Sequence, residues 1–122
     1  MYKENILEHW KNPRNFGKLQ NADSVAKEVN TLCGDEIQIE IRFNSSHVKE
    51  IAFSGQGCAI SQATASILTE FVKNKSVEEI KEIRREDILE MLGIPISPIR
   101  LKCALISLDA LKSAASKYEN GK

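Results

Sequence analysis

The sequence predicts an α+β fold: a three-stranded antiparallel sheet covered by helices. Three segments with strand-like patterns lie between residues 24 and 53, and helical spacing of apolar residues dominates the chain after residue 60. Strands joined by short turns usually pair as antiparallel neighbours. Strands followed by a run of helices are typical of α+β proteins, in which the helices cover the sheet.

The composition predicts one domain covering residues 1–122. The 17 basic and 17 acidic residues cancel, so no overall charge favours nucleic acid or a membrane surface. The first residues lack the apolar run of a signal peptide, and no stretch reaches the length needed to cross a bilayer. We therefore expect a cytoplasmic protein with neither nucleic acid nor a membrane as a partner.

The first element is predicted to be a short helix. Tyr2, Ile6, His9 and Trp10 lie on one side of it, and Pro13 should end it, because the residue before a proline disfavours the helical conformation. We interpret His9 as a partly exposed helix residue rather than a ligand.

Three strands follow. Alternation is soft over residues 24–31 and strict over residues 36–43, where isoleucines alternate with polar and charged residues. That pattern predicts a strand with its isoleucines in a core and its charged residues in water. Residues 44–46 form a turn, and residues 47–53 form the third strand.

This meander brings distant residues together. The turn that holds Cys33 and Asp35 lies where the second strand begins, and the third strand ends at the same edge, just before Cys58. Gly55 and Gly57 permit a positive φ or a close backbone approach there. Because a helix is predicted to begin after Cys58, its free N–H groups would favour a thiolate.

The remaining chain is predicted to be helical. One helix covers residues 60–73, a capping box at Ser76 opens a short one, and another covers about residues 85–92 before Gly93. The last helix carries an apolar stripe on one face, formed by Leu101, Ala104, Leu105, Leu108, Leu111 and Ala115. Cys103 lies about a third of a turn from the centre of this stripe, so it is not predicted to be a core residue.

Cys103 is expected to be the most nucleophilic or most readily metallated cysteine. It lies near the start of the last helix, with Arg100 and Lys102 close by, and a helix N-terminus and cations both stabilise a thiolate. If this helix packs on the sheet, three sulfurs and one oxygen meet: Cys33, Cys58, Cys103 and Asp35. Such a set suits tetrahedral zinc or one edge of an iron-sulfur cluster.

A simpler interpretation stays open, in which the cysteines are small buried hydrophobic residues. No C-x-x-C pair is present, and an odd number of cysteines in a reducing compartment does not indicate a disulfide framework. Asp35 is then a turn or strand-start residue, and Lys102 is a solvated helix residue.

Four motifs in order resemble the U-type iron-sulfur cluster assembly scaffolds, namely IscU, SufU and the N-terminal domain of NifU. The opening motif comprises Tyr2 and residues 9–17, and the three cysteine motifs are Cys33-Gly34-Asp35, residues 55–61 and residues 100–104. The resemblance implies the same fold, with a labile [2Fe-2S] cluster or Zn²⁺ held by the cysteines and the aspartate at one end of the sheet.

The chain combines features of two branches of this family. The IscU branch typically has a histidine where this chain has Lys102, which resembles the SufU branch, whose site usually holds zinc. The extra segment that SufU proteins carry before the third cysteine is absent here. Residues 96–100 keep one proline of the IscU chaperone-recognition motif, so an Hsp70-type chaperone is a doubtful partner.

The resemblance leads to two functional hypotheses. In the first, a non-enzymatic scaffold receives sulfur from a cysteine desulfurase and iron from a donor, assembles the cluster and transfers it to apo-proteins. In the second, the chain is a zinc-dependent sulfurtransferase partner of the desulfurase, with Cys103 as persulfide acceptor and Lys102 as its activating neighbour. A purely structural zinc site is a third interpretation.

Overall fold

The computed structural model describes residues 4–31 and 34–121, and it shows the predicted α+β fold. A short helix and three strands are followed by four helices. The elements are α1 (Glu4–Lys11), β1 (Ser24–Asn30), β2 (Asp35–Asn44), β3 (His47–Gln56), α2 (Ala59–Phe71), α3 (Val77–Lys81), α4 (Arg85–Leu92) and α5 (Pro98–Asn120).

The strands form an antiparallel sheet in the order β1-β2-β3, which confirms the predicted meander. Asn30 at the end of β1 pairs with Asp35 at the start of β2. On the other side of β2, Ile37 pairs with Gly55 and Glu36 with Gln56. β3 therefore continues three residues beyond the predicted end, which brings its last residues to the sheet edge where β2 begins.

The core lies between the inner face of the sheet and the helices α2 and α5. Ile37, Ile39 and Ile41 are fully buried, as the strict alternation predicts. Glu40 contradicts that alternation, because it is only 6% exposed although its strand neighbours face the core. The loop after α1 covers it: the backbone N–H of Leu19 donates to Glu40 Oε1 at 3.2 Å.

Capping residues fix the ends of the shorter helices. Ser76 and Glu79 form the predicted capping box at the start of α3. Gly93 ends α4 in the left-handed conformation, at φ 65°. Ser97 caps α5 by accepting the backbone N–H of Arg100 at 3.4 Å. Among the helices of the described ranges, none is both long enough and apolar enough to cross a membrane.

The first helix packs on α2 through polar contacts. His9 is half-buried, as expected, and its Nδ1 lies 2.7 Å from Ser66 Oγ. The same Oγ accepts the backbone N–H of Arg14 at 2.8 Å. Phe16, in the loop after α1, packs its ring edge-on against Phe53 of β3. α1 and its loop are thereby attached to the sheet and to α2.

Candidate metal centre

Three potential metal ligands from three elements converge at one end of the sheet. Asp35 is the first residue of β2, Cys58 follows β3, and Cys103 belongs to α5. One ligand atom from each residue lies within 4.8 Å of the other two. The antiparallel register explains why Asp35 and Cys58 meet, because β2 begins where β3 ends, and the packing of α5 on the sheet adds Cys103.

Asp35 is buried and contacts Cys58 directly. Only 2% of the residue is exposed. Its carboxylate Oδ1 accepts the backbone N–H of Cys58 at 3.2 Å. The thiol of Cys58 donates to Oδ2 over 3.7 Å. A metal ion bound to both groups would take the place of this thiol proton, because thiolates rather than thiols are the ligands.

Gly57 allows the backbone to approach this carboxylate. A Cβ atom at this position would lie 3.0 Å from Asp35 Oδ1 and 2.3 Å from Ser61 Oγ. Ser61 itself donates its hydroxyl to the Cys58 carbonyl at 3.0 Å and lies 3.8 Å from the Cys58 sulfur. The absence of a side chain at Gly57 therefore leaves room for Asp35 and Ser61 around Cys58.

Cys103 is buried, and the sequence-based expectation that it lies outside the core is wrong. Only 1% of the residue is exposed. α5 contacts both β1 and β2, and it also contacts α2 and α3, so more than one stripe of this helix is covered. Periodicity locates the centre of an apolar face but does not give the width that neighbouring elements will cover.

The position of Cys103 also changes the expected activation of its thiol. It is the sixth residue of α5, which begins at Pro98, and the effect of a helix N-terminus falls off within the first turn. Its thiol donates to the carbonyl of Ile99 over 3.9 Å. The thiol of Cys103 thus lies more than one turn from the start of α5.

The fourth predicted ligand, Cys33, lies outside the described residues. The neighbouring chain is described up to Thr31 and from Gly34. Gly34 has a φ of 73°, and its N–H donates to the carbonyl of Asn30 at 2.8 Å. This positive φ is the conformation that glycine adopts readily in a tight turn, directly before Asp35. The ligand role of Cys33 stays a prediction.

Lys102 is exposed at the same end of the molecule. It lines a surface pocket of about 370 Å³ between β1 and α5, together with Glu28 and Asp109. Burial raises the pKa of Asp109, and the positive charge of Lys112 partly opposes this shift. Asp109 was not singled out from the sequence, since it follows Cys103 by six residues outside any motif, and Ser61 was included only as the last residue of the second cysteine motif.

The chemistry of this set fits a soft or borderline metal ion. Two thiols and one carboxylate are the donors that zinc and iron-sulfur clusters use, whereas calcium and magnesium prefer oxygen alone. Three protein ligands leave one tetrahedral position for a further ligand. The described residues thus supply three potential ligands of a metal ion, and the predicted fourth ligand, Cys33, precedes Gly34 in the sequence.

Comparison with known families agrees with this geometry. The model of the NifU-like N-terminal domain family matches residues 1–122. The chain belongs to this family. Among solved structures of similar fold, an N-terminal NifU-like protein from Brucella abortus superposes with a TM-score of 0.83 at 22% identity, covering 98% of this chain and 95% of that chain. This likeness supports the fold.

Relatives of this NifU-like chain are iron-sulfur scaffold proteins by name. The scaffold protein IscU 1 of Archaeoglobus fulgidus is 37% identical and aligns over 100% of this chain and 80% of its own length. IscU of Escherichia coli K12 is 34% identical over 98% and 94%. A protein from Fervidobacterium islandicum described as a scaffold for the SUF system superposes with a TM-score of 0.81, at 28% identity, over 93% and 96%.

Proposed function

We propose that this protein is a scaffold on which iron-sulfur clusters are assembled. The observation that carries the proposal is the convergence of Asp35, Cys58 and Cys103, whose ligand atoms lie within 4.8 Å of one another. The membership of the NifU-like family and the names of the relatives support it. The cluster is the cargo of the protein, and Cys33 is the proposed fourth ligand.

The carboxylate in this site explains why a scaffold would release its cargo. A hard oxygen ligand among soft thiolates binds iron less firmly than a fourth cysteine would. Asp35 is buried and contacts Cys58, and this contact holds the weakly binding carboxylate in place. We therefore propose a labile [2Fe-2S] cluster as the product, passed on to apo-proteins that offer stronger ligands.

Sulfur is proposed to arrive from a cysteine desulfurase as a persulfide. A thiolate of this chain attacks the outer sulfur of that persulfide, a new S–S bond forms, and the desulfurase leaves as a thiolate. Cys103 was the candidate from its sequence neighbours Arg100 and Lys102. Because Cys103 is 1% exposed and Cys58 is half-buried, Cys103 would need α5 to move at its start before it could react.

Mass spectrometry identifies the acceptor. The protein would be incubated with desulfurase and cysteine, and Cys58→Ser and Cys103→Ser compared with the unaltered chain. Loss of the added sulfur mass in Cys103→Ser alone assigns the acceptor to Cys103. Loss in Cys58→Ser alone assigns it to Cys58, and no added mass in the unaltered chain would contradict sulfur transfer altogether.

Replacing Asp35 tests the scaffold function itself. Asp35→Ala should hold a reconstituted cluster for longer, because its weak oxygen ligand is gone and a thiolate from an added thiol can replace it. The decay of visible absorbance under anaerobic conditions measures this lifetime. Glu36→Ala is the matched control. It changes the next residue of β2, whose side chain lies on the opposite face of the strand. An unchanged or shorter lifetime in Asp35→Ala contradicts the proposed role.

A zinc-dependent sulfurtransferase partner is the second candidate. The exposed Lys102 before Cys103 and the likeness to the SUF-system protein favour it. In that case Zn²⁺ held by the same ligands keeps the site closed until a desulfurase docks. Zinc-loaded protein should then accelerate alanine release by the desulfurase, and Cys103→Ser should abolish the effect. Acceleration that does not depend on zinc would exclude this function.

A further inference from the structure

A surface groove of about 430 Å³ lies at the other end of α2, away from the metal centre. Its walls come from the end of α2, from α3 and from α4. Phe71, the last residue of α2, lines it and is 45% exposed. Ile83 and Met91 complete the apolar floor.

The rim of this groove is acidic. Four carboxylates line it, from Glu79, Glu82, Asp87 and Glu90, against the single ammonium of Lys75. Glu82 and Glu90 are exposed, and neither forms an ion pair with another residue of the described ranges. Within the groove lining, negative charges thus exceed positive ones, although the whole chain has no net charge and Lys81 and Arg84 line an adjoining pocket with Glu82.

Two of the carboxylates are held in fixed positions. Glu79 Oε1 accepts the backbone N–H of Ser76 at 3.1 Å. Asp87 Oδ2 accepts the backbone N–H of Arg84 at 2.8 Å. Both contacts are helix caps that satisfy backbone donors and leave the negative charge in place. The charges on the rim are therefore preorganised by the ends of α3 and α4.

Phe71 already contacts a cation. The Nζ atom of Lys75 lies 4.9 Å from the centroid of its ring, within the distance at which a cation is attracted to an aromatic face. Lys75 belongs to the segment just after α2 and lies within the groove. The contact shows the chemistry that the groove favours, namely a flexible basic side chain over an aromatic ring with carboxylates around it.

We propose that this groove docks a basic segment of a partner protein, in which lysine or arginine side chains flank a large apolar residue. The apolar residue would pack on Phe71 and Met91, and the cations would meet Glu82 and Glu90 at the rim. Complementary charge of this kind guides association and fixes the orientation of a bound segment. An acidic segment would be repelled.

The position of the groove makes this interaction independent of the metal centre. α2 runs from Ala59, next to Cys58, to Phe71, so the two sites are separated by roughly 18 Å along the helix. A short segment in the groove would therefore not cover the end of the molecule where Asp35, Cys58 and Cys103 lie. Docking in the groove is thus separate from cluster assembly and does not depend on which metal or cluster the chain holds.

Short synthetic peptides test the docking directly. A fluorescein-labelled peptide of lysines around one leucine and one phenylalanine would be titrated with the protein and followed by anisotropy. Two matched peptides replace the lysines by glutamine or the two apolar residues by glycine. We expect each matched peptide to bind about tenfold more weakly, because each loses one of the two complementary contributions.

Charge reversal locates the binding site. The double change Glu82→Lys and Glu90→Lys should weaken binding of the lysine peptide by about tenfold. Both residues are exposed near the C-terminal ends of α3 and α4, where a lysine is compatible with the helix dipole, so folding should be preserved. Glu86→Lys, an exposed change on α4 outside the groove, is the control and should bind as before.

Amide chemical shifts of the unaltered protein provide a second measurement that needs no variant. Shifts on peptide addition should concentrate at Phe71, Met91 and their neighbours. Shifts concentrated elsewhere, equal affinity for all three peptides, or unchanged binding by the double variant would each overturn the proposal. None of these outcomes affects cluster assembly, which is measured separately through the absorbance of the reconstituted protein.

Discussion

At the level of single residues, the contact between Asp35 and Cys58 fixes the relative positions of two potential ligands of the candidate metal centre. The carboxylate of Asp35 accepts the backbone N–H of Cys58 and also contacts the thiol of Cys58. Any substitution that moves this carboxylate therefore changes the positions of two potential metal ligands, the carboxylate and the thiol of Cys58. Gly57 lies next to this contact, and a Cβ atom there would lie 2.3 Å from Ser61 Oγ.

Gly57→Ala should weaken zinc binding by about tenfold while costing only about 1–2 kcal/mol of stability. The new methyl group would lie 2.3 Å from Ser61 Oγ and 3.0 Å from Asp35 Cγ, so both side chains must move. Zinc affinity can be measured by competition with a chromophoric chelator. Adding Ser61→Ala removes the nearest obstacle and should restore part of the affinity. Unchanged affinity in Gly57→Ala would show that Asp35 is not a ligand.

His9 should make the stability of the fold depend on pH. Its burial lowers the pKa below the ordinary value of 6.5, and the positive charge of Arg14 lowers it further, while Glu70 and Glu8 partly oppose these effects. Between the lowered pKa and 6.5 the unfolded chain binds more protons than the folded one. Stability therefore increases with pH across this window and is lost on acidification.

Urea denaturation at about pH 5.5 and about pH 7.5 measures this contribution. The unaltered protein should lose more stability on acidification than His9→Gln, because the variant has no imidazole to protonate. Lys11→Gln, an exposed change on the same helix, should behave as the unaltered protein. An equal loss in His9→Gln and in the unaltered protein would assign the pH dependence to other groups.

At the level of elements, the pairing of β2 with β3 places the ligands, and Gly55 allows that pairing. Gly55 lies opposite Ile37 with a φ of 132°, and a Cβ atom there would lie 2.0 Å from the carbonyl oxygen of Glu36. This atom belongs to the backbone of β2 and cannot move away as a side chain would. The end of the sheet beside Asp35 is therefore sensitive to this position.

Gly55→Ala should destabilise the protein by at least about 2 kcal/mol, through backbone strain and the clash with β2. The midpoint of chemical denaturation measures the loss. Gly121→Ala is a suitable control, since its φ is −85° and its new methyl group would lie 3.2 Å from the nearest carbonyl. If Gly55→Ala were as stable as the control, the pairing of β3 with β2 at this end would contribute nothing to the free energy of unfolding.

The helices and strands could be predicted from the sequence better than the burial of their residues by other parts of the chain. Strict alternation identified the isoleucine face of β2, and capping chemistry identified the start of α3 and the end of α4. The burial of Glu40 and of Cys103 was missed for one physical reason. Each lies off the apolar face of its own element and is covered by another part of the chain, a contact that local periodicity does not encode.

At the level of the whole molecule, the metal centre joins three elements that are far apart in sequence. Asp35 and Cys103 approach only when α5 has packed on the sheet and β2 has paired with β3. The convergence of Asp35 with Cys58 followed from strand direction alone. The addition of Cys103 was predicted only on the condition that α5 packs on the sheet, a contact between distant segments that local periodicity does not encode.

Zinc should therefore stabilise the entire fold rather than one loop. At a concentration about one hundred times its dissociation constant, a ligand that binds only the folded state contributes about 2.7 kcal/mol. For a chain of this size we expect a rise in Tm on the order of 10 °C, measured by calorimetry with and without a chelator. Cys103→Ser should lose most of this rise. A Tm that does not respond to zinc would contradict the proposed metal centre.

The register of the sheet has a practical consequence for purified material. Slipping β2 by one residue against β3 would turn Asp35 to the opposite face and separate it from Cys58. If the site binds metal as proposed, the bound metal per chain therefore reports the share of molecules whose strands have paired correctly. Metal stoichiometry would then serve as a quality assay for folding fidelity, able to distinguish native preparations from compact but mispaired ones.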